Sequence, residues 1–214
     1  MNPLVLKLKL WALNQKLLGG RKWYQYVEFT EEISTARYVG RRGIERTKSF
    51  TEWFLRSDLV DGNDVVLDLG CNAAWLSVVL AEKARNVKGV EIDPAFAKQA
   101  RFVLDFFKSS MESTKRVTFF EADINKRLDL LDDVTVLLAS KFLYHRNFSV
   151  NIEAFMQKVA DSKVRLIIVQ GHTTQGSFGN EDGVRSLLGR FGFDYQEAAG
   201  GTDEYPIGVA RRKS

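Results

Sequence analysis

The stretch VVLDLGCNAAWLSVVL, residues 65 to 80, sets Asp68 two positions before Gly70, where an apolar strand pattern gives way to a helical one. A glycine there lets the backbone turn without a side chain in the way, so a ligand can approach the main chain closely. A dinucleotide fingerprint, G-x-G-x-x-G, would need two further glycines for the pyrophosphate and for helix packing. Their positions hold Asn72 and Trp75, and no Lys-Ser or Lys-Thr closes the turn as a P-loop would require. The turn therefore reads as a site for a ligand without a phosphate chain. Glu91 follows Asp68 by 23 residues in VKGVEIDP, about where a doubly wound fold places the acid that holds an adenosine ribose. Asp123, in FFEADIN, is a third acid, suited to accept a hydrogen bond from an adenine amino group. Each of these acids also has a plainer reading, as a polar strand end or a helix cap.

Two histidines are present, His145 in LLASKFLYHRN and His172 in IIVQGHTTQG. Each follows an apolar strand pattern, so each projects from the same sheet edge as the Gly70 turn and is a candidate general base; a structural loop role is the alternative.

These residues need a scaffold, and the pattern supplies one. Strands are predicted at 65–69, 87–92, 116–121, 134–139, 164–170, 193–198 and 206–211. Helices are predicted at 73–85, with Asn72 as N-cap, and at 94–109, with Pro94 in the first turn. Near-continuous apolar strands separated by helices imply a parallel sheet covered on both faces, hence a doubly wound α/β fold. The last two strands are joined only by a loop containing Gly200, Gly201, Thr202, Asp203 and Glu204. That link is too short for a crossover helix, so an antiparallel hairpin is expected at the C-terminus.

A length of 214 residues with 45% hydrophobic residues suits one domain with an extension: residues 1–56 as a basic, helical extension or lid, and 57–214 as the ligand-binding domain. The single cysteine, Cys71, excludes an internal disulfide and a cysteine-cluster metal site, which favours a cytoplasmic location and no metal. No apolar run is long enough to span a bilayer. Charge is uneven: residues 1–56 hold 11 Lys plus Arg against 5 Asp plus Glu, while the rest holds 20 against 22. Residues 3–18 form a basic amphipathic pattern, read as a lid over the cleft in preference to a peripheral membrane contact. In RYVGRRGIERTKSF, Arg37, Arg41, Arg42 and Arg46 suit a phosphate or carboxylate, so an anionic small-molecule acceptor is favoured over RNA. Nothing in the composition indicates an oligomeric state.

VLDLGCN, GVEIDP and EADIN, in that order, resemble the first three cofactor motifs of the class I S-adenosylmethionine-dependent methyltransferases, with their seven-stranded Rossmann-like sheet. The resemblance covers residues 60 to 212. It implies S-adenosylmethionine as cofactor, with Asp68 and Gly70 around the methionine portion, Glu91 at the ribose and Asp123 at the adenine, and with Cys71, Asn72, Ile92 and Ile124 beside them in the cofactor-binding set. Ser140 and Tyr144 complete that implied cofactor set. The family's first motif commonly carries three glycines, whereas this chain has Gly70, Asn72 and Ala74. A shorter resemblance lies in LYHR, 143–146, and WYQ, 23–25, which are similar to segments of the alkyltransferases that finish 5-oxyacetyl or 5-methoxy uridine in tRNA. It implies Tyr144 beside the cofactor and places Trp23 and Tyr24 with the arginines on the acceptor side. Arg146 is followed here by Asn147 and Phe148, where those enzymes carry Ser-Pro. A tRNA or RNA methyltransferase, an NAD-dependent oxidoreductase and a non-catalytic relative remain the alternatives to a small-molecule methyltransferase.

Overall fold

The computed structural model describes residues 8, 27–29, 36–38, 44–108, 111–140, 142–144, 151–171, 181–202 and 205–213. Two short strands, β1 (Val27–Phe29) and β2 (Ala36–Tyr38), pair antiparallel, and α1 spans Ile44–Arg56. The strand pair lies within the extension that the sequence suggested to be helical. Then follow β3 (Val65–Leu69), α2 (Trp75–Leu80), β4 (Asn86–Glu91), α3 (Pro94–Lys108), β5 (Val117–Glu121) and β6 (Val136–Ser140). The chain continues through α4 (Ile152–Asp161), β7 (Leu166–Gln170), α5 (Glu181–Arg190), β8 (Phe193–Thr202) and β9 (Tyr205–Arg212).

Seven strands form one sheet in the order β5-β4-β3-β6-β7-β9-β8. Its pairings are parallel from β5 to β7, whereas β9 runs antiparallel to both β7 and β8. The chain winds outward from β3 to β5 and then resumes on the other side of β3 with β6. That reversal makes the edge beyond Leu69 and Ser140 the topological switch point, where doubly wound sheets bind ligands in a crevice.

Both sheet faces are covered, and the period of two along each strand decides which residue goes where. Val66, Val87, Leu138 and Ile168 face one layer, where they meet Phe50 and Phe54 of α1, Trp75 and Val78 of α2, and Val103 and Phe107 of α3. Val65, Leu67, Leu69, Leu137 and Ile167 face the other, against Phe155 and Met156 of α4 and Val184 and Leu188 of α5. Phe50 and Phe54 are fully buried, and their rings stack 6.0 Å apart. Burying two such side chains contributes about 3–6 kcal/mol, which fixes α1 against the sheet. At the opposite edge from the crevice, Asp64 ties three strand starts together by accepting from Arg165 Nη2 at 2.6 Å and Thr135 Oγ1 at 2.7 Å. Burial works against its charge, but Arg165, the Asp61 N–H and Thr135 hold the carboxyl below its usual range.

Three local expectations need correction. The strand expected at 193–198 runs on to Thr202, so Gly200, Gly201 and Thr202 belong to β8 and not to the loop. The helix expected over 73–85 is confined to Trp75–Leu80, and Asn72 is not its N-cap. Ala74 takes that position with φ 59°, Asn72 itself has φ 53°, and the Asn72 side-chain oxygen accepts from the Ala73 N–H at 2.9 Å. Two left-handed non-glycine residues in three positions delay the helix. Likewise β4 ends at Glu91 rather than at 92, leaving Ile92 beyond the strand.

Candidate cofactor site

The strand-to-helix turn after β3 is built by main-chain bonds and one carboxylate. Gly70, at φ 63°, reverses the chain. Cys71 N–H then donates to Val90 O at 3.0 Å, and Ala74 N–H to Cys71 O at 2.8 Å. A β-carbon on Gly70 would lie 2.9 Å from the Phe142 ring, so the segment after β6 folds directly over the turn. The left-handed alanine costs roughly 1–2 kcal/mol. Glu91 offsets it by clasping the turn: its Oε2 accepts from Asn72 N–H at 3.0 Å, and its Oε1 from Asp93 N–H at 2.8 Å. A carboxylate has four lone-pair directions, and the main-chain N–H groups around it do not use them all, so acceptor capacity remains for a ligand hydroxyl. Burial raises the Glu91 pKa, opposed by the N–H groups of Asp93, Asn72 and Ile92.

Ile92 stands beside this carboxylate and is 63% exposed, one of three large hydrophobic residues left open among those described. A carboxylate with vacant acceptor directions next to an uncovered apolar side chain suits a ligand that joins a diol to a flat apolar ring. Asp123 lies past the next strand and caps the short helical turn Ile124–Lys126, its Oδ1 accepting from Asn125 N–H at 3.0 Å. Ile124 sends its side chain into the core at 4% exposure, which leaves only its main chain for a ligand.

Asp68 is 2% exposed and accepts from Ser77 Oγ at 2.6 Å. Burial pushes its carboxyl up to about 7; Ser77 opposes the shift and the Glu91 charge adds to it. Cys71 is also buried, and its thiol is pushed well above its ordinary value by burial and then by Asp68 and Glu91. It stays a neutral thiol and is not a nucleophile. The Asp68–Ser77 pair fits because its register partner across β3 and β4 is Gly89. A β-carbon there would sit 2.9 Å from Ser77 Oγ and 3.1 Å from Cys71 Sγ. Gly89→Ala is therefore expected to destabilise the protein by about 1–3 kcal/mol; a urea midpoint equal to wild type would show that the turn yields freely.

Ser140 ends β6 and donates through Oγ to Gln170 Oε1, 3.0 Å away at the end of β7. Tyr144 belongs to the helical turn Phe142–Tyr144, and only its backbone is described. Arg37 in β2 and Arg46 in α1 are likewise placed by backbone alone. His145, His172, Trp23, Tyr24, Arg41, Arg42 and residues 3–18 other than Leu8 lie outside the described residues. The structure thus brings Asp68, Gly70, Cys71, Asn72, Glu91 and Ser140 together around one crevice. Sequence reasoning missed Ser77, Gly89 and Gln170. A glycine inside a strand, as in VKGVE, was a usable signal of close approach, whereas nothing local marks Ser77 or Gln170.

Among the described residues no group of acids, cysteines or histidines could hold a metal, and no helix is long and apolar enough to cross a membrane. No family profile matches the chain. A stretch of 85 residues, 40% of this chain, is 32% identical to an uncharacterized RNA methyltransferase of Bacillus cereus and covers 18% of that protein's length. Magnesium protoporphyrin IX methyltransferase from Synechocystis PCC 6803, in a structure with bound SAM, superposes with a TM-score of 0.63 over 80% of each chain at 21% identity. The (4+2)-cyclase SpnF superposes with a TM-score of 0.63 over 96% of this chain and 94% of its own, at 14% identity.

These likenesses define the fold as the class I, Rossmann-like methyltransferase fold, with the seven-stranded sheet and terminal hairpin expected from the sequence. The cyclase among them shows that this backbone also serves other chemistry, so the reaction must be argued from the residues in the crevice.

Proposed function

We propose that the protein is an S-adenosylmethionine-dependent methyltransferase. The observation that carries this reading is the Glu91 clasp: a largely buried carboxylate at the end of β4 that holds the turn after Gly70 and stands next to exposed Ile92. Glu91 binds the ribose hydroxyls, Ile92 covers the adenine, and the narrow turn from Gly70 to Ala74 borders the methionine end. Asp123 and the Ile124 main chain take the adenine edge. NAD is disfavoured because Trp75, 2% exposed under the helix start, stands where a dinucleotide fold needs its third glycine.

The cofactor supplies a methyl group on a sulfonium, already an excellent leaving group. What remains for the protein is to align the acceptor in line with that methyl and to exclude water. Where the acceptor is an oxygen or nitrogen that must lose a proton, His145 or His172 is the base; alanine at that histidine lowers turnover and leaves cofactor affinity nearly intact. The acceptor is an anionic or phosphate-bearing small molecule or natural-product intermediate, held by Arg37, Arg41, Arg42 and Arg46 with Trp23 and Tyr24. The charge asymmetry of the chain supports this assignment, with the net positive charge confined to residues 1–56. The local likeness to an RNA methyltransferase favours a second reading, an RNA acceptor. Salt separates the two, because a polyanion releases several counterions on binding and loses orders of magnitude in affinity between about 50 and 200 mM salt.

Calorimetry on the full chain with S-adenosylmethionine and with NAD tests the cofactor assignment. Binding of the first alone is expected; binding of NAD alone, or of neither, overturns it.

A further inference from the structure

Ser140 and Gln170 are register partners at the ends of β6 and β7, so both sit on the lip of the crevice. Gln170 is fully buried and Ser140 half-buried. The Ser140 hydroxyl has one proton, and it is spent on Gln170 Oε1. What the hydroxyl can offer the crevice is its oxygen lone pairs, so a group docking on it must be a hydrogen-bond donor. The surroundings indicate which donor. Asp68 pairs with Leu138, which brings Ser140 level with Gly70, and the Phe142 ring occupies the space where a Gly70 β-carbon would go. Glu91 lies on the other flank of β3, so a ligand whose ribose sits on Glu91 extends past the Gly70 turn toward Ser140 with its amino-acid end.

On this basis, and resting on the cofactor reading above, we propose that Gln170 is a positioning residue that turns the Ser140 hydroxyl into an acceptor for the α-ammonium of the cofactor's methionine portion. Burial of the amide holds the hydroxyl rotor in one orientation before the ligand arrives, so little freedom is lost on binding. Gln170 is fully buried and acts on the ligand through Ser140.

Calorimetry with S-adenosylhomocysteine, decarboxylated S-adenosylmethionine and 5′-methylthioadenosine tests this on wild type, Ser140→Ala, Gln170→Leu and the double variant, with a melting curve for each. The first two probes carry the ammonium, the second lacks the carboxylate, and the third lacks the whole amino-acid end. Ser140→Ala is expected to weaken the first two by roughly 3- to 10-fold, the size of one modest hydrogen bond, and to leave methylthioadenosine within about twofold. Gln170→Leu should show the same pattern in the wild-type background and no further loss in the Ser140→Ala background. Equal losses for all three probes, or a Gln170→Leu cost that persists without the serine, would mean scaffolding and overturn the proposal. So would unchanged affinities in Ser140→Ala, which remains informative if Gln170→Leu fails to fold. Loss confined to S-adenosylhomocysteine would point to the carboxylate and also overturn it. A wild-type protein that binds none of the three removes the cofactor reading itself, and the inference with it.

Discussion

Glu91→Ala should lower S-adenosylmethionine affinity by about 3 kcal/mol, above 100-fold, while the protein remains folded. Two losses add. The ribose hydroxyls lose a charged acceptor, typically about 1.5–3 kcal/mol, and the Asn72 and Asp93 N–H groups lose the oxygens that hold the turn at 3.0 and 2.8 Å. Glu91→Gln separates these terms, since it keeps one oxygen and removes the charge; an intermediate loss is expected. Calorimetry beside a melting curve reads both. A folded Glu91→Ala protein with wild-type affinity would remove the ribose assignment, because no other acid on β4 faces the crevice.

Asp68→Asn should change the pH dependence of stability more than any other single substitution at the site. Its carboxyl is held near 7 by burial, opposed by Ser77 and reinforced by the Glu91 charge, against an ordinary value of 3.8. Below about pH 4 the group is protonated in both folded and unfolded chains. Between there and about pH 7 the folded protein keeps a proton that the unfolded chain has released, so stability falls as pH rises. Above pH 7 the full penalty applies, on the order of 4 kcal/mol from the size of the shift. Asparagine keeps an oxygen for Ser77 Oγ and does not titrate. Relative to wild type, the variant should gain stability as pH rises from 5 to 8, by about 2–3 kcal/mol in urea unfolding, because part of the penalty is already present at pH 5. Parallel pH profiles would show that Asp68 does not carry the penalty. Without the cofactor the buried charge is unpaired; a sulfonium and an ammonium nearby would favour the carboxylate, so S-adenosylmethionine should bind wild type more tightly as pH rises through 7.

How much of this was legible in the chain differs by residue. The central strands β3, β6 and β7 could be read because each is an apolar run bounded by polar or turn residues, and a parallel sheet buried on both faces demands such runs. The hairpin followed from the shortness of the link between 198 and 206, which admits no crossover helix. Glu91 could be read because the βαβ unit fixes the spacing between one strand end and the next. The helix start could not: Asn72 has the composition of an N-cap, yet the Glu91 carboxylate, 19 residues away, draws its N–H into a left-handed turn. Local propensity amounts to a few tenths of a kcal/mol to about 1 kcal/mol, and a charged tertiary hydrogen bond overrides it.

The sequence by itself determined the layer architecture, the place of the crevice and the acid at the end of β4, because these depend on periodicity and chain length between elements. Tertiary structure alone decided which polar groups meet. Ser77 reaches Asp68 only because Gly89 on the neighbouring strand leaves room for it. Gln170 meets Ser140 only because β6 and β7 are in parallel register, although 30 residues separate them in the chain. Such pairings depend on where two strands come to rest against each other, and a pattern read along one strand carries no record of its neighbour's register.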